Sequence, residues 1–155
     1  MEVLTGHLYH IKDEFFDFIN DNGLLINHES GHSRPSYLAI TDNNILWFIP
    51  LSTKVNKYKK IVDDKVKKYG KCNTIMIEHI GDRDQAILIQ NAFPTIEKYI
   101  MSEHTINGKA VVVPTLTQKR IVDNFRSILR LKERGNNLFF TDIDKLKQMM
   151  LDELK

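Results

Sequence analysis

The chain has 155 residues, of which 42% are hydrophobic and 27% charged, so it suits one globular domain over 1–155 and excludes a chain disordered by composition. Twenty-two Lys and Arg against 20 Asp and Glu leave a net charge of +2, which excludes histone-like basicity. Cys72 is the only cysteine, which excludes an internal disulfide, a zinc ribbon and a Cys-X-X-Cys redox pair.

In chain order, Leu8-Tyr9-His10-Ile11 reads as a first short strand. Asp13 is placed to cap a helix with Phe15, Phe16 and Ile19 on one face, and Asn20-Asp21-Asn22-Gly23 ends it. Residues 27–35 read as a loop. Ser36 to Thr41 and Ile45 to Ile49 read as strands joined by a tight Asp42-Asn43-Asn44 turn, hence a hairpin. A helix then follows Pro50-Leu51-Ser52-Thr53. Its apolar stripe, Tyr58, Ile61, Val62, Lys65, Val66 and Tyr69, is expected to face the core, and Gly70 stands where a cap belongs.

Thr74 to His79 and Ala86 to Gln90 are further strands, joined through Gly81-Asp82-Arg83-Asp84. Pro94 is expected to open a short helix with Ile96, Tyr99 and Ile100 inward. Asn107-Gly108 signals a hairpin before a strand from Ala110 to Val113. Thr117 is expected to cap a helix to about Arg134 that buries Ile121, Val122, Phe125, Ile128 and Leu129. Thr141 is expected to cap the last, with Ile143, Leu146, Met149 and Met150 inward. About six short strands, mostly hairpin-connected, with four or five helices argue an α+β fold with a mostly antiparallel sheet.

The charge is unevenly spread. Residues 54–71 carry eight lysines against Asp63 and Asp64, and residues 109–134 carry seven basic residues against Asp123 and Glu133. If the fold joins these segments they form a polyanion-binding surface; otherwise they are two solvated helix faces. The longest apolar run, Ile45 to Ile49, is far short of the roughly 20 residues that span a bilayer. With no signal-peptide pattern at the start, a cytoplasmic protein without a membrane partner is expected.

Three constellations could carry chemistry. His28-Glu29-Ser30-Gly31-His32 matches H-E-x-x-H, which would make a zinc hydrolase if His28 and His32 shared a helix face. Gly31 inside the motif and Pro35 just beyond it argue for a polar loop instead, in which His32 still serves as a neutral-pH proton carrier. Next, Ser52, Thr53 and Lys54 stand at a strand-to-helix junction with Lys57, Lys59 and Lys60 close behind. Hydroxyls, free N–H groups and the positive helix end suit a phosphate there; the plainer reading is a helix cap. Third, Arg34 and Ser36 enter the hairpin opposite Ser52 and Thr53, so antiparallel pairing brings the two groups together.

At these residues the chain resembles the toxin component of type III toxin–antitoxin systems, the ToxN/AbiQ superfamily that includes CptN and TenpN, with the CptN-like branch nearest in character. The matching segments follow in order: Leu8-Tyr9-His10-Ile11, Arg34-Pro35-Ser36-Tyr37-Leu38-Ala39, Pro50-Leu51-Ser52-Thr53-Lys54, and Asp84 through Pro94. The resemblance implies a twisted, partly barrelled antiparallel sheet with peripheral helices, as in the MazF/Kid toxins. It implies a metal-independent, cofactor-free endoribonuclease used in phage defence. Such a toxin cleaves cellular mRNA and is inhibited by direct binding of a small repeated RNA folded as a pseudoknot. Toxin and RNA form a closed heteromeric assembly; DNA is not expected. The family's hydroxyl pair and lysine carry over to Ser52, Thr53 and Lys54, and its basic entry position to Arg34. The lysine here directly follows the hydroxyl pair, a departure that leaves Lys54 or Lys57 for that role.

On this reading, RNA is cut by its own 2′-hydroxyl. Lys54 and Arg34 meet transition-state charge, Ser52 and Thr53 position the phosphate, and His32 or a pKa-shifted lysine moves protons. Lys60, Lys68, Lys119, Arg120 and Arg126, with Lys57, would contact RNA phosphates, Ser36 would lie beside them, and Tyr37 or Tyr58 would stack on a base. The rival classes are a non-catalytic RNA- or DNA-binding module and the zinc hydrolase.

Overall fold

A computed structural model of the chain describes residues 2–155. The strands are β1 (Leu8–Ile11), β2 (His28–Glu29), β3 (His32–Ser33), β4 (Pro35–Asp42), β5 (Ile45–Ser52), β6 (Met76–Ile80) and β7 (Arg83–Ile87). They continue with β8 (Phe93–Thr95), β9 (Ile100–Glu103), β10 (Thr105–Ile106) and β11 (Lys109–Ala110). The helices are α1 (Asp13–Ile19), α2 (Val55–Tyr69), α3 (Thr115–Glu133) and α4 (Ile143–Glu153). The fold is α+β, as expected. Seven strands form one sheet in the order β6-β7-β5-β4-β1-β9, with β8 also on β5, and every pairing in it is antiparallel.

The β4–β5 hairpin is its backbone. The register runs from Ser36 opposite Pro50 to Asp42 opposite Ile45. The turn is the two residues Asn43 and Asn44, with Asn43 left-handed at φ 55°; asparagine tolerates that conformation better than most residues. All eight residues of β5 are buried, because this strand carries β4 on one edge and β8 and β7 in succession on the other. Its inner end, Ser52, therefore enters the sheet rather than solvent. The aromatic core gathers on it: Phe48 lies 6.0 Å from Phe93, Phe93 lies 5.3 Å from Phe15, and Trp47 lies 5.9 Å from Phe125 of α3.

Several local expectations are corrected. The cap of α1 is Lys12, while the Asp13 carboxylate accepts from Asn27 and pairs with His28. Pro94 opens no helix; it sits in β8 opposite Trp47. β8 pairs only with β5 and is an edge segment, where a proline costs no ladder bond. A 3-10 turn, Glu97–Tyr99, follows, and β9 comes after it in a stretch that carries no strand signal of its own. The Gly81-Asp82 turn is two residues, so β7 begins at Arg83 and ends at Ile87. The expected strand from Ala110 shrinks to β11 and a single bridge between His7 and Val112.

The helix caps also move. α3 starts at Thr115 after Pro114, and Asp142 rather than Thr141 caps α4, accepting from the Lys145 N–H. Thr141 is buried and donates to the Ala92 carbonyl at 2.6 Å. In α2 only Tyr58 is buried; Val66 and Tyr69 at its far end are exposed, because the helix outruns the β6–β7 hairpin it covers. No helix of the described residues is long and apolar enough to cross a membrane.

Candidate active site

The H-E-x-x-H segment is a β-ribbon. Ser30 and Gly31 form its turn with φ of 54° and 81°, and the register sets His28 opposite Ser33 and Glu29 opposite His32. Side chains alternate along a strand, so His28 and His32 lie on opposite faces. His28 turns to Asp13 at 2.8 Å, and His32 faces a cleft. The geometry removes the helical zinc site.

Glu29 points inward and organises the corner. Its Oε2 accepts from the Arg34 guanidinium at 2.9 Å and the Ser52 hydroxyl at 2.7 Å. Its Oε1 accepts from the Thr53 N–H at 2.8 Å and the Thr53 hydroxyl at 2.7 Å. Burial alone would raise this carboxyl. The Thr53 N–H, the two hydroxyls and the Arg34 charge outweigh it and hold the carboxyl at about 2. Arg34 also donates to the carbonyls of Leu51 (2.8 Å) and Ile26 (3.1 Å), so it bolts the ribbon to β5.

Beside this corner opens a cleft of about 450 Å³. Its walls come from the β2–β3 ribbon, Thr53, the Gly81–Asp82 turn with Arg83 and Gln85, and residues 104–106. Across its floor runs a chain of polar side chains. The Ser33 hydroxyl meets His10 Nδ1 at 2.6 Å, and His10 Nε2 meets His104 Nδ1 at 2.8 Å. The backbone sets this up: β1 pairs with β4 and β9 on its two sides, placing His10 between Pro35 and Ser102, and His104 leaves the end of β9. Both imidazole pKa values lie below the ordinary range, chiefly through burial, with the neighbouring imidazole adding to the effect on His10.

The residues expected from the sequence divide into groups. His32, Arg34 and Thr53 line the cleft, and Ser52 lies buried behind it. Arg34 and Ser36 do approach the Ser52–Thr53 junction, as the hairpin predicts, but Ser36 is buried opposite Pro50. Neither Ser52 nor Thr53 is a plain helix cap, since both hydroxyls donate to Glu29; the Ser52 oxygen also accepts from the Lys54 N–H at 3.1 Å. Lys54 and Lys57 are exposed at the start of α2, outside the cleft walls.

Tyr37 is 1% exposed and its hydroxyl is pushed up to about 12 by burial, and Tyr58 is also buried; neither ring has a face for a base. Lys60 and Lys68 are exposed on α2, and Lys119, Arg120 and Arg126 on α3. The two basic segments flank opposite faces of the β6–β7 hairpin. Ile77 packs with Tyr58, Ile61 and Val62 of α2, whereas Met76 and Ile80 face the main core and Glu78, on their side, takes Arg120 at 2.7 Å.

Sequence reasoning misses His10, Ser33, His104 and Arg83, and it gives Glu29 only the role of a metal-site base. Ninety-four residues separate the two paired histidines. The one local signal is a histidine inside the otherwise apolar run Leu8 to Ile11.

No protein-family model matches the chain, and no curated protein matches it in sequence. Among solved structures it is similar to AbiQ, a lactococcal anti-phage endoribonuclease belonging to the type III toxin–antitoxin system. The TM-score is 0.73 over 98% of this chain and 100% of that chain, at 11% identity. The likeness establishes a shared fold from end to end.

Proposed function

We propose that the protein is a metal-independent endoribonuclease toxin of the type III kind, restrained by direct binding of a small repeated RNA folded as a pseudoknot. The observation that carries this reading is the full-length likeness of fold to an endoribonuclease. A fold alone does not fix chemistry; the cleft adds what the chemistry needs. Three imidazoles and Arg83 line one open groove, and Lys54, exposed outside its walls, follows the lining residue Thr53 in sequence.

Cleavage by the 2′-hydroxyl leaves a 2′,3′-cyclic phosphate and a 5′-hydroxyl. The protein must align the attack, meet charge on the phosphorane and move two protons. Lys54 and Arg83 serve the charge. Arg34, Ser52 and Thr53, held by Glu29, fix the wall against which the phosphate is placed. His32 stands at the mouth as a further proton carrier. The exposed lysines of α2 take the flanking phosphates of mRNA or of the antitoxin in a closed assembly.

The test is cleavage of a mixed RNA in EDTA with the product ends identified. Cyclic-phosphate ends support the proposal. Salt-dependent RNA binding by folded, antitoxin-free protein with no cleavage overturns it in favour of a non-catalytic binding module.

A further inference from the structure

We infer that Ser33, His10 and His104 form a neutral proton relay, whose two ends serve the attacking and the leaving oxygens of the RNA. The inference rests on the ribonuclease reading and assigns the acid and base within it. Three observations carry it. The contacts are continuous, at 2.6 Å and 2.8 Å. Both terminal residues, Ser33 and His104, line the same cleft. Among the described residues, His104 Nε2 has no protein partner and the only fully buried side-chain N or O atom without one is Asn91 Oδ1, so Nε2 is not sealed from solvent.

The contact between the rings fixes the chemistry. One proton lies between His10 Nε2 and His104 Nδ1, so the tautomers of the two rings are coupled. In one state, His104 Nδ1 donates to His10 Nε2, His10 Nδ1 donates to the Ser33 oxygen, and His104 Nε2 carries a lone pair into the cleft. In the other, every proton has shifted by one link. The 2′-hydroxyl proton passes to His104 Nε2 as the O2′–P bond forms. The His104 Nδ1 proton passes to His10 Nε2, and the His10 Nδ1 proton to Ser33 Oγ. The Ser33 hydroxyl proton passes to the 5′ oxygen as the P–O5′ bond breaks. Each ring stays neutral, and one proton enters for each that leaves. Water in the open cleft resets the relay.

Burial lowers both imidazole pKa values, which keeps the rings neutral near pH 7. The charged and titratable groups around them are Glu29, His32, Arg34, Asp82 and Arg83 of the cleft; Glu29 is paired to Arg34, and Asp82 opposes the burial effect at His104. Glu103 of β9 is turned to His7 at 2.9 Å. A relay that works neutral predicts an acid limb and no alkaline limb near neutrality. One imidazole acting with a separate imidazolium gives a bell instead.

The experiment compares wild type with His104→Ala, Ser33→Ala, His10→Ala and His10→Gln on an RNA mapped for its cut site. The same RNA is also made with a 5′-bridging sulfur at that site, whose thiolate leaves without a proton. Melting curves and RNA binding certify the fold, with His10→Gln standing in if His10→Ala does not fold. On ordinary RNA each variant is expected to lose roughly 10²–10⁴ in rate. On the sulfur substrate the Ser33→Ala deficit is expected to fall to within about tenfold of wild type, and the His104→Ala deficit to persist. Full-rate cleavage by folded His10 and His104 variants overturns the relay and leaves the ribonuclease reading standing. An unrelieved Ser33→Ala deficit, or a bell-shaped wild-type profile, overturns the relay as well. A wild type that cuts neither substrate fails the ribonuclease reading itself.

Discussion

Glu29 and Ser52, 23 residues apart, meet through a 2.7 Å hydrogen bond that ties the β2–β3 ribbon to the buried end of β5. With Arg34 2.9 Å away and about one-tenth exposed, this carboxylate is the counter-charge of a guanidinium that has little access to water. Glu29→Gln keeps the shape and removes the charge. It should destabilise the protein by about 2–4 kcal/mol, because an uncompensated Arg34 is left behind. Urea unfolding at pH 7 measures it; an unchanged midpoint would show that the pair contributes nothing.

The same carboxylate gives an acid signature. Its pKa is depressed from an ordinary 4.5 to about 2. The stabilisation is therefore complete above about pH 4.5 and is lost as pH falls toward 2. Stability measured between pH 5 and 2.5 should decline in wild type, and Glu29→Gln should flatten that decline. Parallel curves for the two proteins would contradict the assignment.

Lys54 follows Thr53 in the chain, and its side chain makes no hydrogen bond or ion pair among the described residues. Lys54→Ala should therefore leave stability within about 0.5 kcal/mol of wild type. It should lower RNA cleavage at least a hundredfold while antitoxin binding stays measurable. Single-turnover cleavage beside a filter-binding assay separates these effects. Wild-type cleavage by the variant would remove Lys54 from the site.

The β4–β5 hairpin and the four helices are legible because periodicity and turn residues are local signals. Arg34 near Ser52 and Thr53 is legible for the same reason, since the tight turn after Thr41 pairs the two strands; the one-residue register shift between Leu38 and Ile40 carries no such signal but is too small to part the two groups. β8 and β9 are not, because Pro94 carries the same local signal at a helix start and on a sheet edge, and only the free edge of β5 decides between them. The stripe on α2 reads as buried to Tyr69, but burial depends on how far the partner hairpin extends. The His10–His104 contact has no local signal at all; it exists because β9 closes onto β1 across 94 residues. Glu29 is visible only inside a motif whose helical meaning the Ser30-Gly31 turn cancels.

Gly23 lies where the loop after α1 passes under the chain before α4. A Cβ there would come 1.8 Å from the Phe140 carbonyl oxygen, a backbone atom, while the Gly23 carbonyl accepts from Asn91 at 3.0 Å. Gly23→Ala should cost about 3 kcal/mol or more, since the backbone of two segments must part. Thermal melting reads it. A change below about 0.5 kcal/mol would mean that the loop shifts freely.

The two basic helices should contribute unequally to RNA binding. Arg120 of α3 is already paired with Glu78 at 2.7 Å, whereas Lys60 of α2 is exposed and makes no ion pair among the described residues. Each phosphate contact adds roughly 0.7 to the slope of log affinity against log salt for single strands. Lys60→Ala should reduce that slope by about this amount. Arg120→Ala should change it little, because breaking the Glu78 ion pair offsets a new bond from Arg120 to phosphate. Equal slope losses in the two variants would place RNA across both faces of the β6–β7 hairpin, and a larger loss at Arg120 would move the binding surface to α3.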